Sequence, residues 1–202
     1  MKTRMTRLLS LLTALALAPA AMASPGASVP ASGRLAFDVI RKDRDIGDYV
    51  VTFRGSGDDL TVDIATDVKV KVPVIGVRAY RFSQTSTETW RGGQLAGLTS
   101  RTDDNGTPHD IRVGATSLIP ASLWNADMVR SSAVLNTIDG STDPISVSNL
   151  GTENVATGSG TVAATHYALR GGLNRDLWYA GATLVHVRFA AEDGSQVDYV
   201  LR

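Results

Sequence analysis

From Leu60 to Val74 the chain alternates with period two: every even position except Thr66 is apolar, and no odd position carries a large hydrophobic side chain. Successive side chains of a β-strand point to opposite faces, so the pattern predicts a strand with one apolar wall and one wet wall. At ~3.3 Å per residue such a strand reaches about 50 Å, roughly three times the span of an ordinary strand. Sheet twist accumulates with length, so a strand of this reach must coil round something or break at an irregularity near Pro73. The chain is therefore expected to build an all-β domain: a strongly curved antiparallel meander, a half-barrel or open barrel, with an apolar concave face.

The remaining sequence agrees with that architecture. Residues 34–40 and 48–54 read as a hairpin whose charged connection closes at Ile46-Gly47. Turn signals at Gly92-Gly93 and Asp104-Asn105-Gly106 separate further strands at 78–90, 94–102 and 107–114, Asn-Gly supplying the positive φ angles of a tight hairpin. Extended structure resumes at Ile145–Leu150, and four strands over 161–201 are joined too tightly to be parallel. The segments number ten or eleven strands. Between Ser117 and Asn136 the alternation lapses, and Ser122 is placed to cap one short helix carrying Trp124 and Met128.

Lys2, Arg4 and Arg7 precede an apolar run, Leu8 to Ala23, ending Ala21-Met22-Ala23, the order of charge, apolar core and small residues found in a secretory signal peptide. Cleavage is expected after Ala23, followed by a flexible leader over 24–33 and one β domain over 34–202, exported to the bacterial periplasm. The run is shorter than the ~20 apolar residues that span a bilayer, and no later transmembrane segment follows. The chain has no cysteine, hence neither a lipid-attachment site nor a disulfide. Without residues 1–23 the charge balance is 17 cations to 20 anions, net −3, and no basic patch for nucleic acid stands out.

No motif announces a reaction. Ser56 and Ser159 lie between glycines, but the wider spacing of a nucleophile elbow fails around both. Asp103-Asp104-Asn105-Gly106 fails as a calcium loop, because Arg101 and Arg112 occupy ligand positions. The histidines are His109, His166 and His186; the last two are placed to face one another across adjacent or next-but-one strands, as ordinary strand residues or as a ligand or proton-sensitive pair. Glu88 is the one acid in an aromatic setting, beside Trp90. No catalytic residue, metal site or cofactor is implied. The aromatics Tyr80, Trp90, Trp124, Tyr167, Trp178, Tyr179 and Tyr199 serve either as core packing or as the lining of a cavity.

Three groups of residues carry a resemblance: Glu88-Thr89-Trp90 with Gly92-Gly93-Gln94-Leu95; Thr102 to Gly106; and Leu177-Trp178-Tyr179 with Asp193-Gly194-Ser195 and Tyr199. They resemble an uncharacterised family of bacterial exported proteins, a domain of unknown function of about 200 residues, over Leu35 to the C-terminus. More distantly the meander is similar to the half-barrel of periplasmic lipoprotein carriers, a resemblance that implies an acyl-chain site enclosed by the curved sheet and covering helices; here the segment Ser122–Arg130 would have to serve. The expected function is a soluble, non-catalytic binding or carrier module for a lipid-like or other apolar ligand, its cavity walled by Val62, Ile64, Val68, Val70, Val72, Tyr80, Trp90 and Trp178. The alternative is an envelope scaffold or interaction protein with a filled core. A hydrolase or metal-dependent enzyme using His166 or His186 ranks third.

Overall fold

A computed structural model describes residues 25–70 and 80–202. Among them the chain forms thirteen strands: β1 (Arg34–Arg41), β2 (Arg44–Ser56), β3 (Asp59–Val70), β4 (Tyr80–Arg91), β5 (Gln94–Asp104), β6 (Thr107–Val113), β7 (Ile119–Pro120), β8 (Ala133–Leu135), β9 (Thr142–Thr157), β10 (Gly160–Gly171), β11 (Arg175–Ala180), β12 (Thr183–Ala190) and β13 (Gln196–Leu201). They make one sheet in the order β6-β5-β4-β3-β2-β1-β13-β12-β11-β10-β9-β8-β7. Pairing is antiparallel except between β7 and β8. Two meanders spread in opposite directions from the seam where β1 meets β13, Phe37 opposite Leu201 and Arg41 opposite Val197. The sheet curls without closing, as the alternation predicts, and ends at β6 on one side and β7 on the other.

Three local expectations are corrected. The strand number exceeds ten or eleven because β7 and β8 have only two and three residues, too few to show a period. The first hairpin turns at Lys42 and Asp43, both with positive φ (51° and 58°) as a two-residue primed turn needs; Ile46-Gly47 lies inside β2, close to a register shift against Val39/Ile40. The short helix is instead a 3-10 turn, Ala126–Arg130, capped by Asn125, whose side chain accepts from the Asp127 amide at 2.9 Å. A few residues cannot nucleate an α-helix unaided, and this segment is shaped by what its side chains bury. The Asn105-Gly106 hairpin forms as expected, with φ of 52° and 93°. Within the stretch expected to be a flexible leader, Pro25–Ser28 form a second 3-10 turn, and the Ser28 hydroxyl accepts from the Ala126 amide at 3.1 Å.

Chain connectivity fills the concavity. The link after β6 must carry the chain from one sheet edge to the other, and it crosses the concave face to do so. Leu123, Trp124 and Met128 are buried there. Trp124 stands edge-on to Phe53 (5.2 Å between centroids) and Trp90 (5.6 Å). The hydroxyls of Tyr49 and Tyr179, from opposite halves of the sheet, donate to the carbonyls of Ser122 and Leu123. Leu123 takes a positive φ of 69°, a conformation that costs a leucine about 1–2 kcal/mol and persists because the surrounding structure fixes it. Further along, Thr137 receives a hydrogen bond from Gln84 (3.1 Å to its carbonyl), so the β8–β9 loop lies against β4.

Candidate functional site

The residues expected to wall a cavity lie on several strands, most of them on one face of β3 and β4. β3 and β4 pair without a register break, Leu60 opposite Trp90, Val68 opposite Phe82 and Val70 opposite Tyr80, so Val62, Ile64, Val68, Val70, Tyr80 and Trp90 share the inner face. Val62, Ile64, Val68 and Trp90 are buried, Val70 is half-buried and Tyr80 is 40% exposed. Val72 lies outside the described residues. Trp178 is placed elsewhere: its neighbours Leu177 and Tyr179 belong to the inner core, and strand alternation turns Trp178 to the outer face.

At one end the plug occupies the space between the walls. Glu88, wholly buried, accepts from the indole nitrogens of both Trp90 (2.9 Å) and Trp124 (3.0 Å) on Oε2. Burial pushes its pKa above the ordinary range, opposed by the nearby Ser122 hydroxyl and the two indoles. Yet neither Glu88 Oε1 nor Ser122 Oγ completes a hydrogen bond. Oε1 is thus buried without a donor, and the desolvation of this carboxyl is what raises its pKa. It is a structural acid that ties the plug to the wall.

The other end of the trough, where β1 turns into β2 beside the last residues of β3 and the first of β4, is different. Val70, Phe82, Tyr167, Leu173, Phe189 and Tyr199 are only partly buried while packing against the core. Tyr199 joins the ring pairs Tyr49–Tyr199 (5.3 Å) and Phe189–Tyr199 (5.7 Å). Tyr80, on the other limb of the sheet, donates to Asp104 at 3.0 Å and lies near enough to Glu192 and Tyr199 for their charges to bear on its hydroxyl. After burial, the largest cause, these contacts hold its pKa well above the usual phenol value. Arg175 completes the rim, its guanidinium carbon 3.9 Å from the centroid of Phe189. Sequence reasoning did not single out Arg175, Phe82 or Phe189; their shared end follows from strand register, which one sequence does not display.

The outer face carries a second constellation. His166 stacks on Trp178 (4.0 Å, 19°), and His186 stands edge-on to its other side (4.9 Å, 86°), so the two histidines occupy next-but-one strands as their spacing allowed. Carboxylates arrive from neighbouring strands: Glu153 takes the Trp178 indole at 2.6 Å and lies 3.3 Å from His166 Nδ1, while Asp198 is 2.8 Å from His186 Nε2 and 2.7 Å from Arg188. Beyond Thr165, β10 leaves β11, and the tip of the β9–β10 hairpin folds over the outside of the sheet. There Val155 and Ala164 pack on Trp178 and Val185 as a small second core. The Gly158 amide donates to Leu201 at 2.7 Å, and any Cβ at Gly158 would come within 3.0 Å of the Arg202 backbone. Burial pushes the His186 pKa down despite Asp198. Among the described residues neither histidine bonds a hydroxyl or thiol, and no three metal-ligating side chains gather. The cluster pins the hairpin arm.

Two shallow hollows of about 520 and 490 Å³ adjoin one another on the outer side of β4–β6, lined mainly by outward Thr85, Thr87, Thr99, Arg101 and Arg112. None of the expected wall residues lines them.

Fold and site together define an open all-β half-barrel, plugged at one end and rimmed with half-buried apolar side chains at the other. The chain belongs to the family of the domain of unknown function DUF6134, whose model matches residues 37–202. No curated protein and no solved structure matches it.

Proposed function

We propose that the protein is an exported, non-catalytic binding module that takes an apolar or amphipathic, lipid-like molecule at the open end of its half-barrel rather than in its depths. The observation that carries this reading is the contrast between the ends. One is sealed by Trp124 and Met128, whereas the other holds a ring of partly buried apolar residues, Val70, Phe82, Phe189 and Tyr199 among them. Apolar surface gathered in a concave rim is what a small-molecule site requires. Among the described residues His166 and His186 meet carboxylates and a tryptophan rather than a hydroxyl, which gives a hydrolase reading no support.

The test is titration with the neutral dye N-phenyl-1-naphthylamine. Saturable binding at one site, weakened about tenfold or more in Phe82→Ala, is expected; an unsaturable signal equal in both proteins would refute the proposal. The filled interior also favours a second reading, an envelope interaction protein with no small ligand, and absence of dye binding would move the weight there.

A further inference from the structure

Arg175 is an anomaly among the arginines. Arg41, Arg54, Arg101, Arg130, Arg170, Arg188 and Arg202 each pair with an aspartate. Arg34, Arg44, Arg81, Arg91 and Arg112 have no ion pair but are exposed, where water solvates the charge. Among the described residues Arg175 alone is drawn out of solvent with no carboxylate partner. Among the described residues its guanidinium makes one hydrogen bond, from Nη1 to the carbonyl of its neighbour Asn174 at 2.8 Å. The aromatic face of Phe189 beneath it is a weak substitute for a counter-ion. Burial lowers its pKa, the physical sign that this charge is poorly solvated where it stands. A guanidinium in such a place is stabilised when an anion reaches it, because its fork of N–H donors matches an oxyanion and the desolvation is then repaid by a charge-assisted bond.

The surroundings define what that anion is attached to. Arg175 shares the inner face of β11 with Leu177 and Tyr179, and pairs across the strand with Leu169, which lies opposite Val147. Tyr199, edge-on to Phe189, brings a phenol close enough to the guanidinium for each to perturb the other's titration, and among the described residues nothing accepts from or donates to that hydroxyl. Both polar groups thus stand at the edge of an apolar rim, one charged and one neutral.

We infer that Arg175, assisted by Tyr199, anchors the oxyanion head of an amphipathic ligand, a carboxylate or a phosphate ester, whose aliphatic chain lies along the rim of Phe189, Leu173, Phe82 and Val70. This rests on the binding function proposed above and narrows it to a charged amphipath.

Calorimetric titration of the full chain with decanoate, decyl phosphate, decanol and inorganic phosphate separates head from chain. At least one of the two anionic amphipaths is expected to bind about tenfold tighter than decanol, or more, equivalent to about 1.4 kcal/mol. Arg175→Gln should erase that preference while leaving decanol affinity unchanged, which also reports that the variant is folded; Arg175→Lys should keep part of the preference. If Arg175→Gln does not fold, Tyr199→Phe serves, with an expected loss of about threefold for the anion alone. Equal binding of decanoate, decyl phosphate and decanol, or a preference that survives Arg175→Gln, overturns the anchor but leaves the apolar site standing. Inorganic phosphate binding as tightly as decyl phosphate makes this a free-anion site and overturns the amphipath. Failure of every chain-bearing compound to bind overturns the anchor and the proposed function together.

Discussion

Trp124→Ala removes the side chain on which the plug depends. The ring is fully buried between Phe53 and Trp90, and its indole is one of two donors to Glu88 Oε2. Truncating a core tryptophan costs about 3–5 kcal/mol through lost contacts and the cavity left behind. Depriving a buried acceptor of a donor adds about 1–3 kcal/mol. The sum of about 4–8 kcal/mol stands against a total stability of about 5–15 kcal/mol for a typical domain, so the variant should be largely unfolded or close to it. Trp124→Phe separates the parts, keeping most of the ring packing while deleting the N–H. Its cost should also depend on pH. Burial holds the Glu88 pKa above its ordinary 4.5, so the stability linked to this group is fully present below 4.5 and is lost as pH rises through the folded value. Removing a donor that opposes the rise extends the loss, at about 1.4 kcal/mol for each unit by which the pKa climbs further. Urea denaturation of wild type and Trp124→Phe at pH 4.5 and 8 should show the larger penalty at pH 8. A penalty equal at both, or below about 1 kcal/mol for Trp124→Ala, would refute the idea that this indole and Glu88 hold the plug.

The outer face yields two further expectations. Burial lowers the His186 pKa below 6.5, so the unfolded chain binds a proton more readily than the folded one; stability is lost as pH falls below 6.5 toward the folded value. The stability advantage of wild type over His186→Gln should therefore shrink between pH 7.5 and 5.5 in urea titrations, and a constant difference would count against it. Gly158→Val forces a branched side chain into the backbone of Leu201 and Arg202, an overpacking that costs about 1–3 kcal/mol. Hydrogen exchange should then quicken over residues 152–164 and stay unchanged in β2–β4, whereas unaltered protection of the arm would show that it is not held at this contact.

What could be read from the chain was what is local. Alternation in Leu60–Val70 reported both strand and inner face, and Asn105-Gly106 reported its hairpin, because period and turn chemistry are written in adjacent residues. The seam between β1 and β13 joins residues about 160 positions apart, and nothing in the sequence of either strand names its partner. The same non-locality hid the rim: Arg175 and Phe189 meet by register, and Tyr80 nears Tyr199 through sheet curvature. Trp178 is aromatic like the residues of the inner wall, yet alternation with Leu177 and Tyr179 already separates its face from theirs. The carboxylates beside the histidines come from neighbouring strands, where no local spacing announces them.

The central claim is that the open end of the half-barrel holds an anionic amphipath. Native mass spectrometry of the protein isolated gently from its own envelope, and again after incubation with excess decanoate, tests this most directly. The account predicts a stoichiometric adduct, an acidic molecule with an aliphatic chain released on organic extraction, or one bound decanoate per chain. A bare chain mass in both samples would contradict it.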